Sequence, residues 1–192
     1  YGDSLHLTLE LKNTGDQTAQ NLTATISSKS PYILISDTLE YYDTIGPGMT
    51  RTIPAGYAFK VSDTVPDNLS IRFDILASSP DSSAWQWKSH FSVEAQAPDI
   101  RILNLTILDT IQGNRDGRLD PGEEAILRVT CKNTGDFATS LTTATLTSTS
   151  PFLVITPPLV QWNSMVPGET REAEFNVLVA SETPIGTGID LK

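Results

Sequence analysis

The sequence predicts an all-β protein made of two β-sandwich modules that are copies of one another. Three observations lead to this prediction. Apolar and polar residues alternate along several segments, turn-forming residues separate these segments about every ten residues, and the second half of the chain repeats the first. No segment shows the 3.6-residue apolar spacing of an amphipathic helix.

The internal repeat is seen when residues 12–16 are aligned with residues 132–136, because both read Lys-Asn-Thr-Gly-Asp. The match continues without a gap for about 40 positions, of which about 17 are identical, so one module has been used twice. Beyond this stretch, skipping two residues in the first copy aligns Val61 with Val179.

The repeat divides the chain into modules at residues 1–97 and 98–192. Copy one begins at the position equivalent to Pro121, so we expect it to lack the first strand and loop that copy two has. Copy two stops at Lys192, opposite Asp74, and we expect it to lack about two C-terminal strands. The predicted parent is a longer protein with neighbouring modules on both sides.

The alternation assigns each strand one buried face. Leu5, Leu7, Leu9 and Leu11 lie on one face of the first strand, and His6 lies on the other. The same pattern assigns these residues to inward faces: Leu22, Ala24, Ile26, Trp85, Trp87, Phe91, Val93, Ala125, Leu127, Val129 and Cys131. Short strands of this kind, separated by Asn-Thr-Gly, Ser-Pro and Pro-Gly turns, predict tandem immunoglobulin-like β-sandwiches.

The composition excludes several classes of function. The chain has 192 residues, with 13 Lys and Arg against 23 Asp and Glu, and a formal net charge of −10, which disfavours nucleic acid and anionic membrane surfaces as partners. No apolar run reaches the roughly 18 residues of a membrane span. A single cysteine, Cys131, excludes an internal disulfide.

The segment with the most distinctive chemistry is residues 112–123, which has the spacing of a calcium-binding loop. Counting Gln112 as position one places oxygen-bearing side chains at three, five, nine and twelve and a glycine at six, where the chain has to turn sharply. Leu119, at eight, is expected to anchor the loop in the core. The predicted ligands of a structural Ca²⁺ are Asp109, Asn114, Asp116, the carbonyl of Arg118, Asp120 and Glu123.

Position one of this loop departs from the pattern, since Gln112 stands where an acid is usual. Either Asp109 folds in to replace that acid, or Gln112 gives a neutral amide oxygen and a weaker site. The alternative is a plain acidic hairpin with Asp116-Gly117 and Pro121-Gly122 as its turns, binding no metal. Both alternatives fit the residue types.

The run from Asn114 to Glu123, followed by a strand and by residues 132–135, resembles the immunoglobulin-like (CARDB-like) repeat modules of gingipain-type cysteine peptidases. Other secreted proteins of Gram-negative anaerobic bacteria carry similar modules. The resemblance implies a secreted or cell-surface location and a spacer or adhesion role. The partners it implies are neighbouring domains of the same chain and a host or surface protein or glycan.

Enzymatic activity is not expected of this fragment, and any cysteine peptidase activity that the resemblance implies belongs to the parent protein. Cys131 falls on an inward face, where a thiol is a packing residue, and His6 and His90 fall on outward faces. The chain has neither a Gly-x-Ser-x-Gly turn nor a phosphate-binding glycine loop.

Aromatic residues support an alternative function, a carbohydrate-binding module. Tyr41, Tyr42 and Trp162 precede the Pro-Gly turns, and exposed rings at such a place can stack on sugar faces. Tyr42 and Trp162 are equivalent in the repeat, however, which is also what a core or inter-module packing position predicts.

Overall fold

The computed structural model describes residues 1–80, 85–110 and 113–192. The chain divides into two compact units, Tyr1–Ala97 and Pro98–Lys192. The described residues form antiparallel β-strands joined by turns, which confirms the all-β prediction. No helix long and apolar enough to cross a membrane occurs among them.

Unit 1 consists of two antiparallel sheets. Its strands are β1 (Ser4–Lys12), β2 (Ala19–Ser27), β3 (Ile33–Asp37), β4 (Leu39–Ile45), β5 (Thr50–Val61), β6 (Ser70–Ser78) and β7 (Gln86–Glu94). One sheet has the order β1-β5-β3 and the other β4-β2-β6-β7. Residues of both sheets pack in one apolar cluster that contains Tyr42, Tyr57 and Ile75, an arrangement consistent with a β-sandwich.

Unit 2 repeats the first five strands of unit 1 and has one additional strand before them. Its strands are β8 (Ile100–Leu108), β9 (Glu124–Asn133), β10 (Thr142–Thr145), β11 (Leu153–Thr156), β12 (Leu159–Trp162) and β13 (Thr170–Val179). The sheets have the orders β11-β13-β9-β8 and β10-β12, and a bridge pairs Ser148 with Leu191. Phe175, Val177 and Leu127 lie at the centre of the core.

Equivalent strands of the two units pair in the same register. Leu11 lies opposite Arg51 in unit 1, and the equivalent Cys131 lies opposite Arg171 in unit 2. The two residues skipped in the first copy form a β-bulge, since the pairing in unit 1 jumps from Leu7–Tyr57 to Leu9–Ile53, whereas β9 and β13 pair without interruption. Ala55, inside the bulge, has a φ of 52°.

The asparagine of the repeated Asn-Thr-Gly turn joins the two sheets of its unit. In unit 2, Nδ2 of Asn133 donates to the carbonyl oxygens of Phe137, in the turn, and Met165, just after β12, at 2.8 and 3.0 Å, and its Oδ1 accepts the Gly135 amide at 3.1 Å. Asn13 makes the three equivalent bonds, to Gln17, Ile45 and Gly15 in unit 1.

The predicted strand faces are largely confirmed. The inward residues of β2 and β9 are buried, and His6 and His90 are exposed. Trp87 and Val93 lie on the predicted face, since they pair directly with the buried Ala77 and Ile71, but this face is not covered along β7: Trp85, Trp87 and Val93 are 41%, 48% and 47% exposed. They lie on or beside β7, the edge of a four-stranded sheet that faces a three-stranded one, so the opposite layer does not cover them.

We expect Asn133→Ala to destabilise unit 2 by about 2–4 kcal/mol, because it leaves buried backbone groups without their partners. Urea unfolding followed by circular dichroism measures this loss. The matched variant Asn13→Ala should cost less, since Asn13 is only partly buried and water can replace the lost amide. Equal losses in the two variants would contradict this explanation.

We expect the Cys131 thiol to react with a disulfide reagent only when unit 2 opens. Its side chain is 5% exposed, and burial raises the pKa of the thiol above its ordinary value, so little thiolate is accessible. A Lys132→Cys variant in a Cys131→Ala background, with its thiol on the opposite strand face, should react at least about a hundredfold faster. Similar rates for the two thiols would show that the core is open to the reagent.

Candidate metal-binding loop

The predicted calcium-binding loop is the connection between β8 and β9, residues 109–123. These two strands are antiparallel neighbours, so the loop closes a hairpin and both of its ends are fixed by the sheet. Gln112, the predicted first position, lies outside the described residues. The other predicted ligands are described.

Glu123 organises the second half of the loop. Its side chain is 5% exposed, and its Oε1 and Oε2 accept the backbone amides of Asn114 and Asp120, both at 3.0 Å. The Glu123 carbonyl accepts the Val179 amide at 2.9 Å, and the Gly122 amide donates to the Val179 carbonyl at 3.0 Å. One carboxylate therefore holds both arms of the loop, and the backbone beside it attaches the loop to β13.

Asp109 enters the loop from the end of β8. Its side chain is 4% exposed, and its Oδ2 accepts the Gly117 amide at 3.0 Å. Gly117 has a φ of 76°, a conformation in which glycine is favoured. Asp109 therefore contacts the sharp turn of the loop.

The remaining predicted ligands contact one another. Nδ2 of Asn114 donates to Oδ2 of Asp120 at 2.7 Å, and its Oδ1 accepts the Asp116 amide at 2.9 Å. Oδ1 of Asp116 accepts the Arg118 amide at 2.9 Å. The Asp116 and Arg118 side chains are exposed, whereas Asp120 is half-buried. These bonds fold the tip of the loop into successive Asx turns.

Two further residues shape the loop. Leu119 packs against the apolar core of unit 2, which confirms its predicted anchoring role. Gly113 was not singled out from the sequence, yet a Cβ at this position would collide with Oε1 of Glu123 and with the Asp109 carbonyl oxygen. The only sequence signal for this close approach is that residue 113 is a glycine. A glycine in a loop does not by itself indicate which residues lie against it.

The loop offers hard oxygen donors, but its carboxylates do not form a ready-made cluster. Among residues 1–80, 85–110 and 113–192, no three His, Cys, Asp or Glu side chains lie close enough together to hold a metal ion. A Ca²⁺ ion requires six to eight oxygens. Binding here would therefore use the amide oxygen of Asn114, backbone carbonyls and water in addition to the carboxylates.

Two of the three aromatic residues considered for stacking on sugars are buried or half-buried. Tyr42 is fully buried, and its hydroxyl donates to the Leu9 carbonyl oxygen at 3.0 Å. Trp162 is half-buried against the unit 2 core. Of the three, only Tyr41 is exposed, and its hydroxyl donates to Oδ1 of Asn21 at 3.0 Å. The equivalence of Tyr42 and Trp162 thus reflects packing within each unit.

Comparisons with known proteins leave the family of the chain unassigned. No family model and no curated protein matches the sequence. Among solved structures, the secreted serine protease VesC from Vibrio cholerae is similar at 12% identity over 94% of this chain and 44% of that chain, with a TM-score of 0.31. The chain thus spans less than half of that protein, and a similarity this low carries no inference about fold or function.

We expect Gly113→Ala to destabilise unit 2 by about 1–3 kcal/mol, because the added methyl group must displace Glu123 or the Asp109 backbone. Thermal unfolding followed by calorimetry measures this loss. Gly188→Ala is the matched control, since no atom lies within 4 Å of a Cβ built there. Equal stabilities of the two variants would mean that the close packing around Glu123 is not required.

Proposed function

We propose that the chain is a non-catalytic pair of immunoglobulin-like modules that serves as a spacer or adhesion element in a secreted or cell-surface multidomain protein. We propose further that unit 2 holds one structural Ca²⁺ in the loop at residues 109–123. The observation that carries the calcium proposal is the burial of Asp109 and Glu123 around one loop, with neither carboxylate in an ion pair among the described residues.

Two buried carboxylates at one place are unfavourable unless positive charge balances them. The backbone amides of Asn114, Gly117 and Asp120 supply only partial positive charge. Each carboxylate oxygen has two lone-pair sites, so an oxygen that accepts an amide can also coordinate a cation. A divalent cation between the two carboxylates would balance their negative charge without breaking the hydrogen bonds from the backbone amides.

The mechanism we propose for the ion is mechanical. The loop is attached to β8 and β9 at its ends and to β13 through Gly122 and Val179. An ion that draws Asp109, Asn114 and Glu123 together would hold these three strands of one sheet in register. Extracellular modules bind Ca²⁺ with dissociation constants of roughly 10⁻⁴–10⁻³ M, so millimolar calcium outside a cell would suffice.

The spacer role is supported by the autonomy of the two units. Each unit has its own apolar core, as expected of modules that fold independently and set the distance between neighbouring domains. The chain's one cysteine is buried, with a raised pKa, which disfavours a nucleophilic role. The proposed extracellular setting, and a gingipain-like parent, follow from the resemblance of the loop and turn motifs alone.

A carbohydrate-binding module is the second candidate, and one observation favours it. Trp87 lies in β7 and Trp85 immediately before it. Both side chains are partly exposed and line a cleft in unit 1. Such rings can stack on sugar faces. The residues on which this function was first predicted support it less, since Tyr42 is buried and Trp162 is half-buried.

We expect calcium to raise the stability of unit 2 by about 2.7 kcal/mol when its free concentration is a hundredfold above the dissociation constant. Differential scanning calorimetry of the chain in chelator and in about 10 mM CaCl₂, a hundredfold above a dissociation constant of roughly 10⁻⁴ M, measures the shift. Unit 1 should unfold at the same temperature in both solutions, because the proposed site lies wholly in unit 2.

Glu123→Gln should abolish the calcium-dependent shift, because it removes the charge that holds the ion and keeps the shape of the side chain. Asp190→Asn removes an exposed carboxylate of the same unit and should retain the full shift. An unchanged melting curve of the wild-type chain in calcium would leave the loop as a hydrogen-bonded hairpin.

A further inference from the structure

The outer face of the four-stranded sheet of unit 1 carries a shallow groove of about 260 Å³. This sheet is the one that does not contain β1, and the groove lies across its paired strands β2, β6 and β7. The side chains that line it on this face are those of Ser27, Arg72, Asp74, Leu76, Lys88 and His90. The backbone of β6, at the centre, is paired on both sides, so a ligand here contacts side chains and not unpaired backbone groups.

The strand register brings the lining residues together. Ser27, Asp74 and His90 are directly paired on β2, β6 and β7 and form one row across the groove. Leu76 and Lys88, paired on β6 and β7, lie in the next row. Neighbouring strands lie about 4.8 Å apart, so the row of three is about 10 Å long. The polar groups of three strands are therefore presented to the same small ligand.

The groove gathers positive charge in an acidic unit. Residues 1–97 contain six Lys and Arg against eleven Asp and Glu, and two of the six, Arg72 and Lys88, line this groove together with His90. All three side chains are exposed. Within the described part of the chain, Lys88 and His90 take part in no ion pair. Their donors are therefore available to an anionic group of a ligand.

Asp74 places a hydrogen-bond acceptor between these donors. Nε of Arg72 donates to Oδ1 of Asp74 at 2.8 Å, and Nη2 of Arg72 lies 2.7 Å from the same oxygen. Among residues 1–80, 85–110 and 113–192, no other group bonds this carboxylate, so its Oδ2 can accept hydroxyl groups. The hydroxyl of Ser27, on the neighbouring strand, can both donate and accept.

This combination of groups favours one ligand chemistry. A ligand with densely spaced negative charges, such as a nucleic acid, a sulfated glycan or a polyglutamate segment, would be repelled by the Asp74 carboxylate in the middle of the groove. A neutral sugar would leave the charges of Arg72 and Lys88 without a partner. A uronic-acid sugar has one carboxylate and several hydroxyls on each ring, so it matches cationic donors that lie beside an acceptor.

We propose that the groove binds a uronic-acid unit of an acidic polysaccharide. Arg72 and Lys88 bind the carboxylate of the sugar, Asp74 and Ser27 bind its hydroxyls, and Leu76 lies against its ring. Each of these contacts uses a charged or polar group in a way that its chemistry allows, and the charge of the ligand complements that of the groove.

The same face of the sheet offers a place for a neighbouring sugar. Tyr41 pairs with Thr23 on β2, which in turn pairs with Ser78 on β6, so its ring lies on the face that carries the groove. Tyr41 is 53% exposed and can stack on a sugar ring. The proposal requires neither calcium nor the spacer role, and Trp87, which pairs with Ala77, lies on the opposite face of the sheet.

The test titrates the intact chain, in chelator, with a hexamer of galacturonic acid and with its methyl ester, which keeps the ring hydroxyls but carries no charge. We expect saturable calorimetric binding of the acid, chemical-shift changes at residues 72–76 and 88–90, and at least about tenfold weaker binding of the ester. Lys88→Gln should weaken binding about fivefold. Lys60→Gln, which changes an exposed lysine of the three-stranded sheet, should leave the affinity unchanged.

Asp74→Ala distinguishes a saccharide site from a simple anion site. It removes the hydroxyl acceptor and the group that orients Arg72, so it should weaken binding of the hexamer at least about fivefold, although it also removes a negative charge. The same variant should strengthen binding of hexaglutamate and of a heparin hexasaccharide, because Asp74 repels both.

Three results would overturn the proposal. One is equal affinity of the wild-type chain for the acid and for the ester, or no saturation with the acid. Another is tighter binding of the galacturonate hexamer by Asp74→Ala than by the wild type, which would reduce the groove to a site for any anion. The third is tighter wild-type binding of hexaglutamate or heparin than of the galacturonate hexamer, which would assign the groove to an acidic peptide or a sulfated glycan.

Discussion

In each unit, the asparagine of the Asn-Thr-Gly turn joins the two sheets across a largely apolar interface. The amide of Asn133 is fully buried and bonds the turn after β9 and the chain after β12, which belong to different sheets, and Asn13 does the same in unit 1. Apolar contacts are non-directional and tolerate sliding of one layer over another. A buried amide does not, because a shift of either sheet would leave its partners unsatisfied. The Asn-Thr-Gly turn is therefore a structural element of the repeat and not a binding motif.

The two units differ at the β-bulge of β5, where unit 1 has two residues more than unit 2. The β-bulge in unit 1 interrupts the pairing of β1 with β5, and the hydroxyl of Tyr42 bonds the Leu9 carbonyl oxygen beside this interruption. The hydroxyl of Tyr57 donates to the Ala24 carbonyl oxygen, and burial raises its pKa above the ordinary range. Unit 2 has uninterrupted pairing and carries Trp162 and Phe175 at the equivalent positions, which have no hydroxyl. The two tyrosine hydroxyls that bond the backbone are thus found in the unit that contains the bulge.

A single strand accounts for the chemical differences between the units. β8 closes the edge of β9, buries its inward residues and leads into the loop that contains Asp109 and Glu123. The described residues of unit 1 include no equivalent of β8 or of this loop. The proposed calcium site is therefore a consequence of β8 and of the loop that follows it.

The sequence by itself determined the all-β class, the repeat, the inward faces of β2 and β9 and the anchoring of Leu119, because alternation and turn residues report local geometry and which face is apolar. It also nominated Asp109 as a residue that could enter the loop. Only the tertiary structure decided that Asp109 contacts Gly117, that Gly113 lies against Glu123, and that Tyr42 is buried. It also decided that Trp85 and Trp87 are exposed, because alternation gives two faces to every strand, and whether a face is covered depends on the width of the opposite sheet.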